Sequence, residues 1–177
     1  PDMDAIMNFA QKNNLIVIED NAQCYLAHYK GKMVGSIGHM SSFSFQRKKH
    51  MTSGEGGMVC TNDEVLADRI RQFSVLGYAS VSAKKNKIAR DDIQNPTYDR
   101  HAILGYNYRM PELCAAVALG QLEHLEELVQ RRIDVAELFL EVIKGCAWLI
   151  PQKVPEGYTH AYWSTAIRIT HPTVTWF

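Results

Sequence analysis

The sequence predicts an α/β fold, a mainly parallel sheet flanked by helices. Three observations predict it. Leu15 to Ile18 is an apolar run with little alternation, which suits a strand buried on both faces of a sheet. A stretch of helical spacing stands just before it, so the two form half of a strand–helix–strand unit, the preceding strand falling before Pro1. Two further β-type runs, Met40 to Phe45 and Met58 to Thr61, flank a glycine-rich loop, and longer helical patterns follow.

The elements follow in order. Asp2 to Asn13 reads as a helix, because Met3, Ile6, Met7 and Ala10 recur at helical spacing and Asp2 can cap the start. Asn13-Asn14 breaks it. The strand Leu15 to Ile18 ends in the carboxylates Glu19 and Asp20. Tyr29 to Ser36 is rich in turn residues and reads as a small hairpin with solvated lysines. The lone His39 reads as structural. Met40 to Phe45 runs into the short basic turn Gln46 to His50. In Gly54-Glu55-Gly56-Gly57, the glycines around Glu55 predict backbone with positive φ or a close approach.

Asn62 or Asp63 can cap an amphipathic helix that reaches Ser74. Ala79 to Arg100 is long and polar, and holds Lys84-Lys85-Asn86-Lys87 and Asp91-Asp92. It reads as a surface loop, or as a substrate loop whose cations meet a nucleotide diphosphate. Pro111 suits the first turn of a helix. Leu113 to Lys144 is mainly helical, with alanines at its start that allow close packing. Glu123, Glu126, Glu127, Arg131 and Arg132 read as a solvated charged face with i,i+4 pairs, and Gly145 ends the helix. Trp148 to Ile150 and Tyr162 to Thr170 read as strands around the turn Pro155-Glu156-Gly157.

Composition narrows the function. The 177 residues amount to about one domain, and 46% hydrophobic content is ample for a core. Zero net charge gives no electrostatic case for nucleic acid or an anionic membrane. No apolar run approaches the roughly 20 residues that span a bilayer, and no signal peptide opens the chain. The four cysteines, Cys24, Cys60, Cys114 and Cys146, are scattered and read as buried free thiols in a reducing cytoplasm. No residue is assigned to a metal.

The chemistry lies at the strand ends. Open α/β sheets bind ligands at the carboxyl ends of their strands, where Asp20 falls. A lysine between a strand end and a glycine loop can be desolvated and made nucleophilic, which singles out Lys48 and Lys49. A carboxylate and a lysine so placed are what a pyridoxal phosphate enzyme needs.

Four motifs then stand in order: Glu19-Asp20-x-Ala22-Gln23; Tyr29-Lys30-Gly31-Lys32-x-Val34-Gly35-Ser36-x-Gly38; Phe43-Ser44-Phe45-x-x-x-Lys49-x-x-x-x-Gly54-Glu55-Gly56-Gly57; and Gly105-Tyr106-Asn107-Tyr108-Arg109-Met110. Together they resemble the DegT/StrS-type sugar aminotransferases over roughly residues 1 to 170. The resemblance implies the aspartate-aminotransferase fold (fold type I). Residues 1–125 would be the C-terminal portion of the cofactor-binding large domain, and 126–177 the connector helix and the start of the small domain. Members of the family are longer, so the chain reads as an internal fragment or truncated copy.

The resemblance also assigns roles. Lys49, five positions after Ser44, would form the Schiff base with pyridoxal phosphate and move the proton in catalysis. Asp20 would pair with the pyridine nitrogen, Gln23 would contact the ring or its 3′-oxygen, and Ser44 would hold the phosphate. Asn107 would reach the partner's cofactor phosphate across a homodimer with shared active sites; Arg109 reads as structural. The substrate would be a nucleotide-linked keto sugar with glutamate as amino donor, in polysaccharide or antibiotic sugar synthesis. Leu26-Ala27, His39 and the pair Arg47-Lys48 depart from the pattern of many relatives. Dehydratase relatives carry His in place of the lysine; here His50 stands one position late. The alternatives are such a dehydratase, or an inactive truncated fragment that serves only as a dimerising domain.

Overall fold

In the computed structural model, helix α1 (Met3–Lys12) starts where Asp2 accepts the Ala5 N–H at 3.2 Å, and it turns Met3 and Ala10 inward. The structure describes residues 1–82, 90 and 94–174. Lys84, Lys85, Asn86, Lys87, Asp91 and Asp92, with the substrate-loop reading, lie outside the described residues.

The expected hairpin is β2 (His28–Tyr29) and β3 (Lys32–Met33), joined by Lys30 and Gly31 at φ 47 and 79, the mirror-image turn that matches strand twist. It docks on the start of α1. The Tyr29 hydroxyl donates to Asp2 at 2.9 Å, and Lys30 pairs with Asp4 at 2.6 Å.

The main sheet has the order β1-β4-β5. Strand β1 (Ile18–Asp20) runs parallel to β4 (Met40–Ser44), with Ile18 opposite Met40 and Asp20 opposite Ser42. Strand β5 (Gly57–Cys60) is antiparallel to β4. A parallel return would need a crossover, usually a helix, whereas residues 45–56 turn back as a loop. The sheet is therefore mixed within an α/β fold. One expectation is corrected: the apolar run into β1 is not buried on both faces. It sits at the sheet's edge, with Ile16 57% and Ile18 61% exposed and Glu19 buried. Cys60, expected buried, is exposed at the end of β5; all four thiols are free.

Helix α2 (Glu64–Ser74) is capped by Asp63, which accepts the Val65 and Leu66 N–H groups at 2.8 and 3.0 Å. The chain then crosses itself where Gly77 and Gly105 stack backbone on backbone. The expected long helix is two, α3 (Glu112–Leu122) and α4 (Leu125–Ile143), with Pro111 just before the first and Gly145 just after the second. The helices break at Glu123–His124, and Ala118 and Val129, one from each, share one core with Tyr25, Ala27, Phe45, Met51 and Ala161. Of the last strands, β6 (Leu149–Pro151) is shifted by one residue and β7 (Ile167–Ile169) is shorter than expected; they pair as a separate antiparallel ribbon.

Candidate active site

Strand alternation separates the two carboxylates at the end of β1. Glu19 points inward and accepts the N–H groups of Gly35, Ile37 and Gly38 at 2.8, 2.7 and 2.6 Å. This pins the segment after the hairpin to the strand end, so Glu19 is a structural anion. Asp20 points the other way and is exposed; its carboxylate accepts the Ala22 N–H at 3.1 Å. Gln23 is exposed in the turn that follows.

The parallel register sets Ser42 opposite Asp20, and β4 runs two residues further to end at Ser44. Buried Tyr25 braces that end, its hydroxyl donating to the Ser44 carbonyl at 2.7 Å. Burial pushes the Tyr25 phenol up to about 12. The Ser44 hydroxyl accepts the Gln46 N–H at 3.3 Å. Residues 46–49 then make a tight turn: Lys49 N–H reaches the Gln46 carbonyl at 2.9 Å, and Lys48 N–H reaches the Gln46 side chain at 2.9 Å. Phe45 closes the loop, bonding the Gly56 carbonyl at 2.8 Å and accepting Ser53 N–H at 3.0 Å. Gly54 and Gly56 have φ of 86 and 147, as the glycine-rich motif predicts.

Lys49 is half-buried, with Nζ 5.0 Å from the centre of the Trp163 ring. His50 is buried and lies 2.7 Å through Nε2 from the Ala161 carbonyl; that acceptor requires the proton on Nε2. Burial holds its pKa below the ordinary value, and the nearby Arg132, His160 and Lys49 act in the same direction. Arg132 does not lie on the expected solvated face. It reaches from α4 to the carbonyls of Lys48 and Lys49 at 3.2 and 3.1 Å, whereas Arg131 pairs with Glu127 at 2.6 Å.

The structure thus brings Asp20 and Ser44 to adjacent strand ends and puts Lys49 on the turn that follows. Asn107 lies on another segment. It bridges Val75 and accepts the Arg109 Nε–H at 2.8 Å on an exposed segment. A cleft of about 1570 Å³ beside β5 and α2 is lined by Glu55, Phe73, Tyr108 and Arg109 among others, but by none of Asp20, Ser44 and Lys49. Sequence reading missed Arg132 and Trp163 as neighbours of the lysine turn. They stand 83 and 115 positions from the groups they bond, and no local pattern signals such a contact.

Comparisons with known proteins place the chain in a family. The chain is 37% identical over 166 residues to a GDP-perosamine synthase of Escherichia coli O157:H7, covering 94% of this chain and 41% of that protein. It thus spans about two-fifths of the length of the curated relatives it matches. An aminotransferase structure from Psychrobacter cryohalolentis superposes with a TM-score of 0.75 at 36% identity, covering 92% of this chain and 42% of that one. The E. coli GDP-4-keto-6-deoxy-D-mannose-3-dehydratase, determined with bound hydrated PLP, superposes with a TM-score of 0.83 at 22% identity, covering 99% and 45%. That second likeness shows the fold alone. The fold is the expected one, part of fold type I. The model of the DegT/DnrJ/EryC1/StrS aminotransferase family matches residues 1–174, and the chain belongs to that family.

Proposed function

We propose that this chain carries the lysine side of the active site of a pyridoxal phosphate-dependent aminotransferase. Its substrate is a nucleotide-linked keto sugar, and glutamate supplies the amine. The observation that carries the reading is that the neighbouring parallel strands β1 and β4 end in Asp20 and Ser44, with Lys49 on the turn beyond. This donor set fits the cofactor: an exposed carboxylate for a ring N–H, a hydroxyl for a phosphate, and a primary amine for an aldehyde.

When bound, pyridoxal phosphate supplies an electron-withdrawing ring that stabilises negative charge on the neighbouring carbon. Asp20 keeps the ring nitrogen protonated, Gln23 orients the ring, and the Ser44 hydroxyl donates to the phosphate. Lys49 would hold the cofactor through its Nζ and, once that amine is freed, would take a proton from one carbon and return it to another. Asn107 serves the phosphate of a second copy, so the working unit is a homodimer with shared sites; its exposed position supports this. Residues 1–125 belong to the large domain, and α4 leads into the small one. The free thiols support a reducing cytoplasm, and among the described residues no helix is long and apolar enough to cross a membrane. The lysine in the position that carries histidine in dehydratases favours amination.

Borohydride reduction in the presence of pyridoxal phosphate, followed by peptide mass spectrometry, tests the reading. The adduct is expected on Lys49 and lost in Lys49→Ala, together with the visible absorbance band. An adduct on Lys48 shifts the register by one; a band that survives Lys49→Ala sinks the assignment.

A further inference from the structure

The segment His160 to Trp163 is seated on the lysine turn. Ala161 is buried, and its carbonyl lies 2.7 Å from His50 Nε2. Tyr162 takes φ 46, in the left-handed region that an aromatic residue rarely adopts. Such strained backbone concentrates at functional sites, and here it precedes the residue that faces the lysines. The Trp163 indole N–H donates to the Lys48 carbonyl at 3.0 Å, and its ring lies 5.0 Å from Lys49 Nζ, within cation–π range. Arg132 donates to the Trp163 carbonyl at 3.3 Å and, through the other arm of its guanidinium, to the carbonyls of Lys48 and Lys49.

We propose that Trp163 is a positioning residue for Lys49. Its ring face holds the lysine ammonium whenever that amine is free, while its N–H and Arg132 fix the backbone from which the side chain springs. The proposal rests on the reading of Lys49 as the functional amine. The chemistry of the holder matters. A carboxylate here would bind the amine by a charge-assisted hydrogen bond and retain its proton. An aromatic face attracts the cation through its quadrupole alone, and releases it more readily. An amine that alternates between attachment and release is suited by such a weak, fixed resting place.

The test is amine labelling of the full protein with acetic anhydride, without pyridoxal phosphate, read peptide by peptide. Lys12 and Lys32, both exposed, serve as internal controls. In Trp163→Leu, Lys49 is expected to react about two- to fivefold faster, with the controls unchanged. Trp163→Phe keeps a ring face and is expected to restore most of the wild-type rate. With substrates, Trp163→Leu lowers kcat more than it raises KM. A wild-type labelling rate at Lys49 in Trp163→Leu overturns the proposal, as does a rise shared equally by the control lysines. If Trp163→Leu fails to fold, Arg132→Lys decides: it keeps a cation but loses the forked donor, and an unchanged Lys49 rate overturns the proposal. Labelling needs neither cofactor nor substrate, so it separates this proposal from the aminotransferase reading, which stands or falls on the Lys49 adduct.

Discussion

At the residue scale, buried polar groups carry the clearest consequences. Glu19 accepts hydrogen bonds from Gly35, Ile37 and Gly38, so Glu19→Gln replaces an acceptor with a donor that faces N–H groups. Denaturant unfolding is expected to show a loss of about 1–3 kcal/mol. His50 contributes a pH dependence. Burial holds it below the ordinary value of 6.5. The unfolded chain therefore takes up protons before the folded one does, and stability falls as pH drops below about 6.5. Melting temperatures across pH 5 to 8 are expected to fall on the acid side, and less steeply in His50→Gln. The site was partly legible at this scale. Asp20, Ser44 and Lys49 sit in local motifs whose spacing the backbone preserves. The opposite fates of Glu19 and Asp20 follow from strand alternation, but only once the register is known.

At the element scale, local rules held where structure is local. The caps at Asp2 and Asp63, the turn at Lys30-Gly31 and the stop at Gly145 all rest on neighbours a few positions away. Asp63→Ala is expected to cost about 1 kcal/mol by denaturant unfolding. The misses were set by distant partners. The break between α3 and α4 has no glycine or proline at Glu123–His124 to announce it. The exposure of β1 depends on which strand stands beside it, which periodicity does not encode. The backbone crossing at Gly77 and Gly105 is equally non-local. A Cβ on Gly77 would collide with the Ile103 carbonyl, and one on Gly105 with Gly77 N. Gly77→Ala is expected to cost on the order of 3 kcal/mol or more, measured as soluble yield and melting temperature.

At the scale of the whole molecule, a large apolar surface remains uncovered. Leu104, Leu113 and Val142 are 86%, 83% and 75% exposed, and Leu119, Val135 and Leu138 are exposed with them. Monomeric proteins rarely leave so much apolar surface open. The 177-residue chain on its own is therefore expected to bind a hydrophobic dye and to elute in size-exclusion chromatography above its 20.1 kDa mass. A dye-negative, sharply monomeric elution would contradict this. The seating of Trp163 on the lysine turn has a further consequence, which concerns time. The Lys48 carbonyl waits for a partner 115 residues downstream. At roughly 5–20 residues per second of synthesis, that partner follows on the order of ten seconds later. In the newborn protein the lysine turn is therefore chemically complete well before it is braced.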